Sequence, residues 1–262
     1  MHQGMTRVAR FSLLMPFQIF GAWTADGGRR LGIAITVTLG FAVLARLIRG
    51  VSVTGAVAGA VVSFVLYLSL GVGAFVVLVS VFVLASVTTR LGHAQKERDG
   101  TAEKKGGRSA SQVLANLGVA AVAALLYAST VNVIFIVAMA AVLGEAAADT
   151  VSSEFGQARS HKALLITTWE QVPAGTDGGI SAAGTIAGMV AAAMISGVCV
   201  AVGLLNRRGF VISTIAAILG MLVDSFLGAS LERRGVLQND AVNFLSTVAA
   251  ALLALLFFRV FP

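Results

Sequence analysis

Apolar runs of membrane-spanning length recur along this 262-residue chain at about 31–49, 53–69, 71–89, 112–130, 131–149, 180–205, 210–230 and 241–261. A helix needs roughly 20 apolar residues to cross a hydrocarbon core of about 30 Å. Several of these runs span only 17–19 residues, near the short limit. Only 12% of the residues are charged, about half the usual share for a soluble domain. The 29 glycines suit close helix approach in lipid, where packing replaces the hydrophobic effect as the glue. The chain is therefore predicted to be an all-α polytopic transmembrane bundle of about seven to eight spans. The tight junctions near residues 70 and 130 read either as full reversals or as re-entrant, tilted segments.

Residues 31–262 are expected to form one transmembrane catalytic domain. Residues 1–30 hold a basic start, MHQGMTRVAR, and an apolar stretch of about 15 residues interrupted by Pro16. That segment reads as an amphipathic surface helix or a signal-like sequence. Polar stretches at 90–111, 150–179 and 231–240 fall on one face by the alternation of spans. With Arg46 and Arg49 they hold 12 of the 19 Lys and Arg residues. The bias toward positive charge on the inner side places that face in the cytoplasm, in a bacterial inner membrane. A net charge of +7 is then assigned to topology and anionic lipid headgroups, not to nucleic acid. The single Cys199 excludes an intrachain disulfide framework.

Four polar clusters interrupt this apolar background. The first, GTAEKKGGRSASQVLAN, brackets a Gly-Gly step with Lys104, Lys105 and Arg108, and carries Asn116 into the next span. It reads as a topology-setting loop or as an anion-binding one. The second, GEAAADTVSSEFG, places Glu145, Asp149 and Ser153 at i, i+4 and i+8 on one helix face, with Thr150 and Glu154 as a neighbouring pair. Asp149 is the stronger functional candidate, and Glu145 reads as solvating a helix end near residue 148. The third, TTWEQVPAGTDGGISAAGTIAG, breaks at Pro173 and Gly175; Thr176 or Asp177 is expected to cap the helix that follows Gly178 and Gly179. Its glycine amides would then face an anion, while Gly184 and Gly188 form a packing face. The fourth, LGMLVDSFLGASLERRG, holds Asp224 and Ser225 inside an apolar run, and an intramembrane acid is a functional residue by default. Gly144 with Asp149-Thr150 and Gly220 with Asp224-Ser225 hint at a weak internal duplication.

The three histidines, His2, His93 and His161, fall in no zinc-ligand spacing. Neither a Walker loop nor a serine-nucleophile elbow occurs. Acids, hydroxyls, glycine turns and a basic loop remain. That inventory fits phosphoryl or nucleotidyl transfer at a membrane face, with Mg²⁺ held partly by substrate phosphates.

GTAEKKGGRSASQVLAN, DTVSSEFG, TTWEQVPAGTDGGISAAGTIAG and VDSFLGA stand in the order in which they occur in the integral-membrane phytyl-phosphate kinases of vitamin E synthesis. The chain resembles that family over about residues 30–260. The resemblance implies transfer of a phosphoryl group, with CTP as donor, to an isoprenyl monophosphate such as phytyl or geranylgeranyl phosphate. It also implies distant similarity to membrane CTP-using enzymes such as dolichol kinase and phosphatidate cytidylyltransferase. On this reading Asp149, Glu154 and Asp224 hold Mg²⁺ with the nucleotide phosphates, joined by Asp177. Lys104, Lys105, Arg108 and Lys162 contact phosphates, supported by Asn116, Thr150, Ser153 and Ser225. The amides of Gly175, Gly178 and Gly179, with Thr176, cradle an anion. The expected partners are the nucleotide, the prenyl monophosphate and membrane lipids, with homo-oligomerisation left open. The rival readings are a cytidylyltransferase acting on a lipid phosphate and an ion-coupled transporter using Glu145, Asp149 and Asp224.

Overall fold

A computed structural model describes residues 25–92, 97 and 106–261. Lys104 and Lys105, and all but the end of the 1–30 segment, lie outside the described residues. Among the described residues, eight helices are long and apolar enough to cross a membrane. They are α1 (Ala25–Leu47), α2 (Val53–Leu70), α3 (Val72–Arg90), α4 (Ala110–Thr130), α5 (Ile134–Arg159), α6 (Ala182–Ala201), α7 (Arg207–Leu227) and α8 (Asn239–Val260). α1 thus begins inside the segment read as a surface helix. Both tight junctions are full reversals between complete helices, not re-entrant segments. Gly71 alone links α2 to α3 at φ +75, and Val131 adopts φ 56 between α4 and α5.

Short polar side chains start four of the helices. Ser52, Ser109, Ser181 and Asn206 each accept a hydrogen bond from an amide three residues on, which satisfies one of the orphan donors of a first turn. Ser109 adds a reciprocal bond through Gln112, completing a capping box.

The helices are not equivalent. Apart from Glu145, α5 is apolar or small on every side from Ile134 to Ala148, the signature of a helix with no solvent face. It packs against α3, α4, α6, α7 and α8 and is the axle of the bundle. α1 lies at the periphery on α2, and its Phe41 meets Phe75 and Phe82 of α3 edge to face, with ring centroids at 5.5 and 5.2 Å. The expected Gly184–Gly188 face does pack. A Cβ at Gly188 would meet the Ala148 carbonyl of α5 at 2.8 Å, and one at Gly184 the Ser152 carbonyl at 2.5 Å.

The polar connections gather at one end of the bundle. There the Ser52 amide donates to the Arg108 carbonyl and Arg90 to the Ile48 carbonyl. At the other end Arg30 donates to the Leu68 carbonyl, and Arg208 to those of Phe258 and Phe261. Within the α5–α6 connection lies a small antiparallel sheet in the order β2-β1-β3: β1 (Lys162–Leu165), β2 (Gln171–Pro173) and β3 (Gly179–Ile180). Ala163 faces Val172 and Leu164 faces Ile180. This sheet is an addition to the all-α bundle that the hydrophobic pattern did not foresee.

Gly188→Val should overpack the α5–α6 seam and lower stability by about 1–3 kcal/mol. Gly40→Val, whose new Cβ meets nothing within 4 Å, should cost far less. Thermal unfolding of both variants in detergent checks the difference.

Candidate functional site

α5 does not end near residue 148; it runs on to Arg159 and carries the DTVSSEFG acids out toward the polar end. Glu145 is therefore no helix-end solvator. It is 1% exposed in the middle of the bundle, close against Gly220, and its Oε2 has no hydrogen-bond partner. One turn further on, Asp149 shares a cavity of about 260 Å³ with Asp224 of α7. The two segments that looked like a weak duplication thus set their aspartates facing one another at one depth.

Beyond Ser225, α7 loosens into a π-helical turn, Gly228–Glu232, a distortion frequent beside functional sites. The Gly-rich turn folds onto it. Gly178 has φ +74, and a Cβ there would run into the backbone of Ala229. Only glycine permits both the conformation and the contact. The turn thereby becomes a wall of the same cavity, contributing Gly175, Thr176, Asp177, Gly178 and Gly179, while Lys162 of β1, Ser153 of α5 and Ser225 of α7 are the other predicted residues that line it.

The turn is not the mouth of a helix. Ser181, not Thr176 or Asp177, caps α6, because β3 intervenes between the turn and the helix. The Thr176 and Gly179 amides are used within the turn, donating to the carbonyls of Pro173 and Thr176 at 3.3 and 2.8 Å. Lys162 donates to Gln171 at 3.3 Å on the exposed rim.

Four predicted residues, Glu154, Thr150, Asn116 and Arg108, stand elsewhere. Glu154 is half-buried on α5 within electrostatic reach of Asp149 but does not line the cavity. Thr150 is buried beneath it and accepts a hydrogen bond from Arg108 at 3.2 Å. Asn116 donates to the Gln112 carbonyl at 2.9 Å and lines a second, larger cavity.

Arg108 reaches Thr150 because its backbone is pinned. Its amide donates to the Gly50 carbonyl at 3.2 Å, its carbonyl accepts from Ser52 at 2.9 Å, and it bridges Val51 in parallel. Gly107 turns the chain at φ +72, and Gly55 leaves room where a Cβ would collide with the Arg108 carbonyl. The guanidinium also lies in electrostatic reach of Asp149.

Gln157, Ser181 and Glu232, not singled out in the sequence, also line the cavity, together with Ser152 next to Ser153 and Asn239 at the polar start of the last span. A helical repeat carried outward from the aspartates would have found two of them, since Gln157 lies eight residues beyond Asp149 and Glu232 eight beyond Asp224.

Buried oxygens dominate what the cavity offers a ligand. Asp224 Oδ2 and Gln157 Oε1 are buried with no hydrogen-bond partner. An acceptor in that position demands a donor or a cation. Among the described residues, no three or more His, Cys, Asp and Glu side chains stand together as a ready metal cage. That combination suits a hard cation that brings its own further oxygens, as Mg²⁺ does with phosphates or water.

Eight helices long and apolar enough to cross a membrane, one of them an acid-bearing central helix, with an oxygen-rich cavity at one end of the bundle, define an integral membrane protein. The pattern of the family described as integral membrane protein DUF92 matches residues 36–251, and the chain belongs to that family. It is 32% identical over 200 residues to an uncharacterized membrane protein of Synechocystis sp., covering 74% of this chain and 78% of that one. An uncharacterized membrane protein of Methanocaldococcus jannaschii is 31% identical over 235 residues, covering 87% and 94%. The chloroplastic protein VTE6 of Arabidopsis thaliana is 29% identical over 219 residues, covering 80% and 66%. No solved structure matches the chain.

Facing carboxyls with an unpartnered oxygen destabilise the empty protein. Asp224→Asn should therefore raise the melting temperature in EDTA. Added Mg²⁺ with a nucleotide should raise that of the natural protein and leave the variant little changed. Thermal shift in detergent reads both.

Proposed function

We propose that this protein is a membrane kinase that transfers the γ-phosphoryl group of CTP to an isoprenyl monophosphate, giving the prenyl diphosphate and CDP. The observation that carries the reading is the unpartnered oxygen pair, Asp224 Oδ2 and Gln157 Oε1, in a cavity shared with Asp149 and Asp177 and flanked by Arg108. The ordered motifs shared with phytyl-phosphate kinases and the similarity to VTE6 support it. The orientation in this proposal puts the polar end in the cytoplasm, where CTP is found.

The donor set fits Mg²⁺, which Asp149 and Asp224 would hold while phosphate or water oxygens fill its other positions, with Asp177 of the turn lining the same cavity. Bound there with the nucleotide, the ion supplies charge neutralisation to phosphate oxygens. The chain's own groups do the rest. An oxygen of the acceptor monophosphate attacks the γ-phosphorus, the bond from that phosphorus to the β-bridging oxygen breaks, and CDP departs with the electron pair. A phosphate monoester has a second pKa of about 6, so the acceptor arrives deprotonated and needs no general base. Arg108 and Lys162 hold the anions against one another, with Lys104 and Lys105 in the same role from the adjoining loop. Positioning and charge neutralisation of this kind are the main protein contributions to phosphoryl transfer. Glu154 tunes the field at Asp149 from outside the cavity.

The purified protein with CTP, Mg²⁺ and geranylgeranyl or phytyl monophosphate should release CDP and prenyl diphosphate. Asp149→Asn and Asp224→Asn should each cost at least about 100-fold in kcat while remaining folded. Pyrophosphate with a CDP-lipid would identify a cytidylyltransferase instead. Solute flux in liposomes without CTP use would identify a transporter, and full activity in either variant would remove the metal-site assignment.

A further inference from the structure

The larger cavity, of about 490 Å³, lies between α1, α2, α3 and α4 with Ala146 of α5 as its inner wall. Its size falls within the range of about 300–1,000 Å³ typical of small-molecule sites. Its body is apolar: Phe41, Gly59, Leu78, Val81 and Phe82 line it at membrane depth. One end is cationic, where Arg49, Arg90 and Arg108 meet at the polar face. From Arg90 to Leu78, both on α3 and both in the wall, twelve residues at about 1.5 Å each give a depth of roughly 18 Å. An apolar channel of that depth with guanidinium groups at its mouth matches a long hydrocarbon chain bearing one anionic head. It does not match a nucleotide, whose polar base and sugar would face Ala, Val, Leu and Phe.

Arg108 stands between the two cavities. Its side chain lines this cavity and also donates to Thr150, the residue after Asp149. A phosphate held at the cationic mouth is therefore next to the acidic cavity, which is where a phosphate acceptor has to be. We propose that the α1–α4 cavity is the acceptor site: the isoprenoid chain lies along α3 and its monophosphate rests at Arg108. This rests on the kinase reading for the identity of the lipid, but the site itself is argued from the cavity. It also makes the depth of the cavity a selector of chain length, with Gly59 a position that sets it. A Cβ at Gly59 meets nothing within 4 Å, so a side chain there has open space to fill.

Gly59→Leu tests the proposal, with Gly118→Leu on α4 as a matched control. Gly118 is equally open but does not line the cavity. In Gly59→Leu, KM for geranylgeranyl monophosphate, with its 20-carbon chain, should rise at least about 10-fold, while that for the 10-carbon geranyl monophosphate moves about 2-fold or less. The control should leave both unchanged. Equal effects on both chain lengths, or none on either, would overturn the assignment. A binding readout separates this from failure of the kinase reading. A diazirine-bearing geranylgeranyl monophosphate should label α2 and α3 in the natural protein, should be competed by the unlabelled monophosphate, and should label Gly59→Leu at least about 10-fold less. Competed labelling without CTP use keeps the lipid site and removes the kinase. CTP use with labelling elsewhere, or labelling that the monophosphate does not compete, keeps the kinase and removes the site.

Discussion

The structure depends on burying α5 on all sides. A helix with no lipid or water face has to be surrounded, and five other helices do this. Alanine and glycine make it feasible, because small side chains let backbones close in where the bilayer provides no hydrophobic drive. The same enclosure raises the energetic stakes for the polar groups on its buried length, which ends at Val151. A carboxyl there is unavailable to bulk water, so its interactions are strong in both signs. Asp149, Glu145 and the facing Asp224 sit under that constraint, so their environment, more than their mere presence, sets what they can bind.

Around this axle the molecule divides its chemistry in two. One cavity offers oxygens and lies between α5, α7 and the Gly-rich turn; the other offers hydrocarbon and lies between α1 and α4. A reaction that joins a water-soluble donor to a lipid acceptor needs both, and needs them side by side. Arg108 lines the second and, by its bond to Thr150, stands within electrostatic reach of Asp149 in the first. Its position is secured by backbone pairing to the α1–α2 turn and by the absence of a side chain at Gly55, so a distant glycine is as much part of the site as the cation it admits.

What was readable in the chain followed physical range. Span number and the common face of the polar loops depend on local hydropathy, and both are seen. Asp149 and Asp224 stood out singly, as acids in apolar runs, and their shared cavity is a matter of how α5 and α7 pack. Glu145 was misjudged because hydropathy falls near residue 148 although the helix continues for eleven residues to Arg159; helix ends are set by packing as well as by polarity. The cap at Ser181 and the small sheet were missed for a related reason. Val172 and Ala163 pair across a loop, and no periodicity within so short a strand announces its partner. The second cavity was not legible, because an empty volume is a property of four helices together.

The meeting of Gly178 with the Gly228–Ala229 backbone has a consequence for how the oxygen-rich cavity is kept in shape. Side chains usually act as spacers that swap rotamers and let a gap breathe. Here two stretches of main chain touch directly, with no adjustable part between them. The roof over the carboxyls therefore behaves as a fixed gauge, and its clearance follows from the thickness of the polypeptide itself.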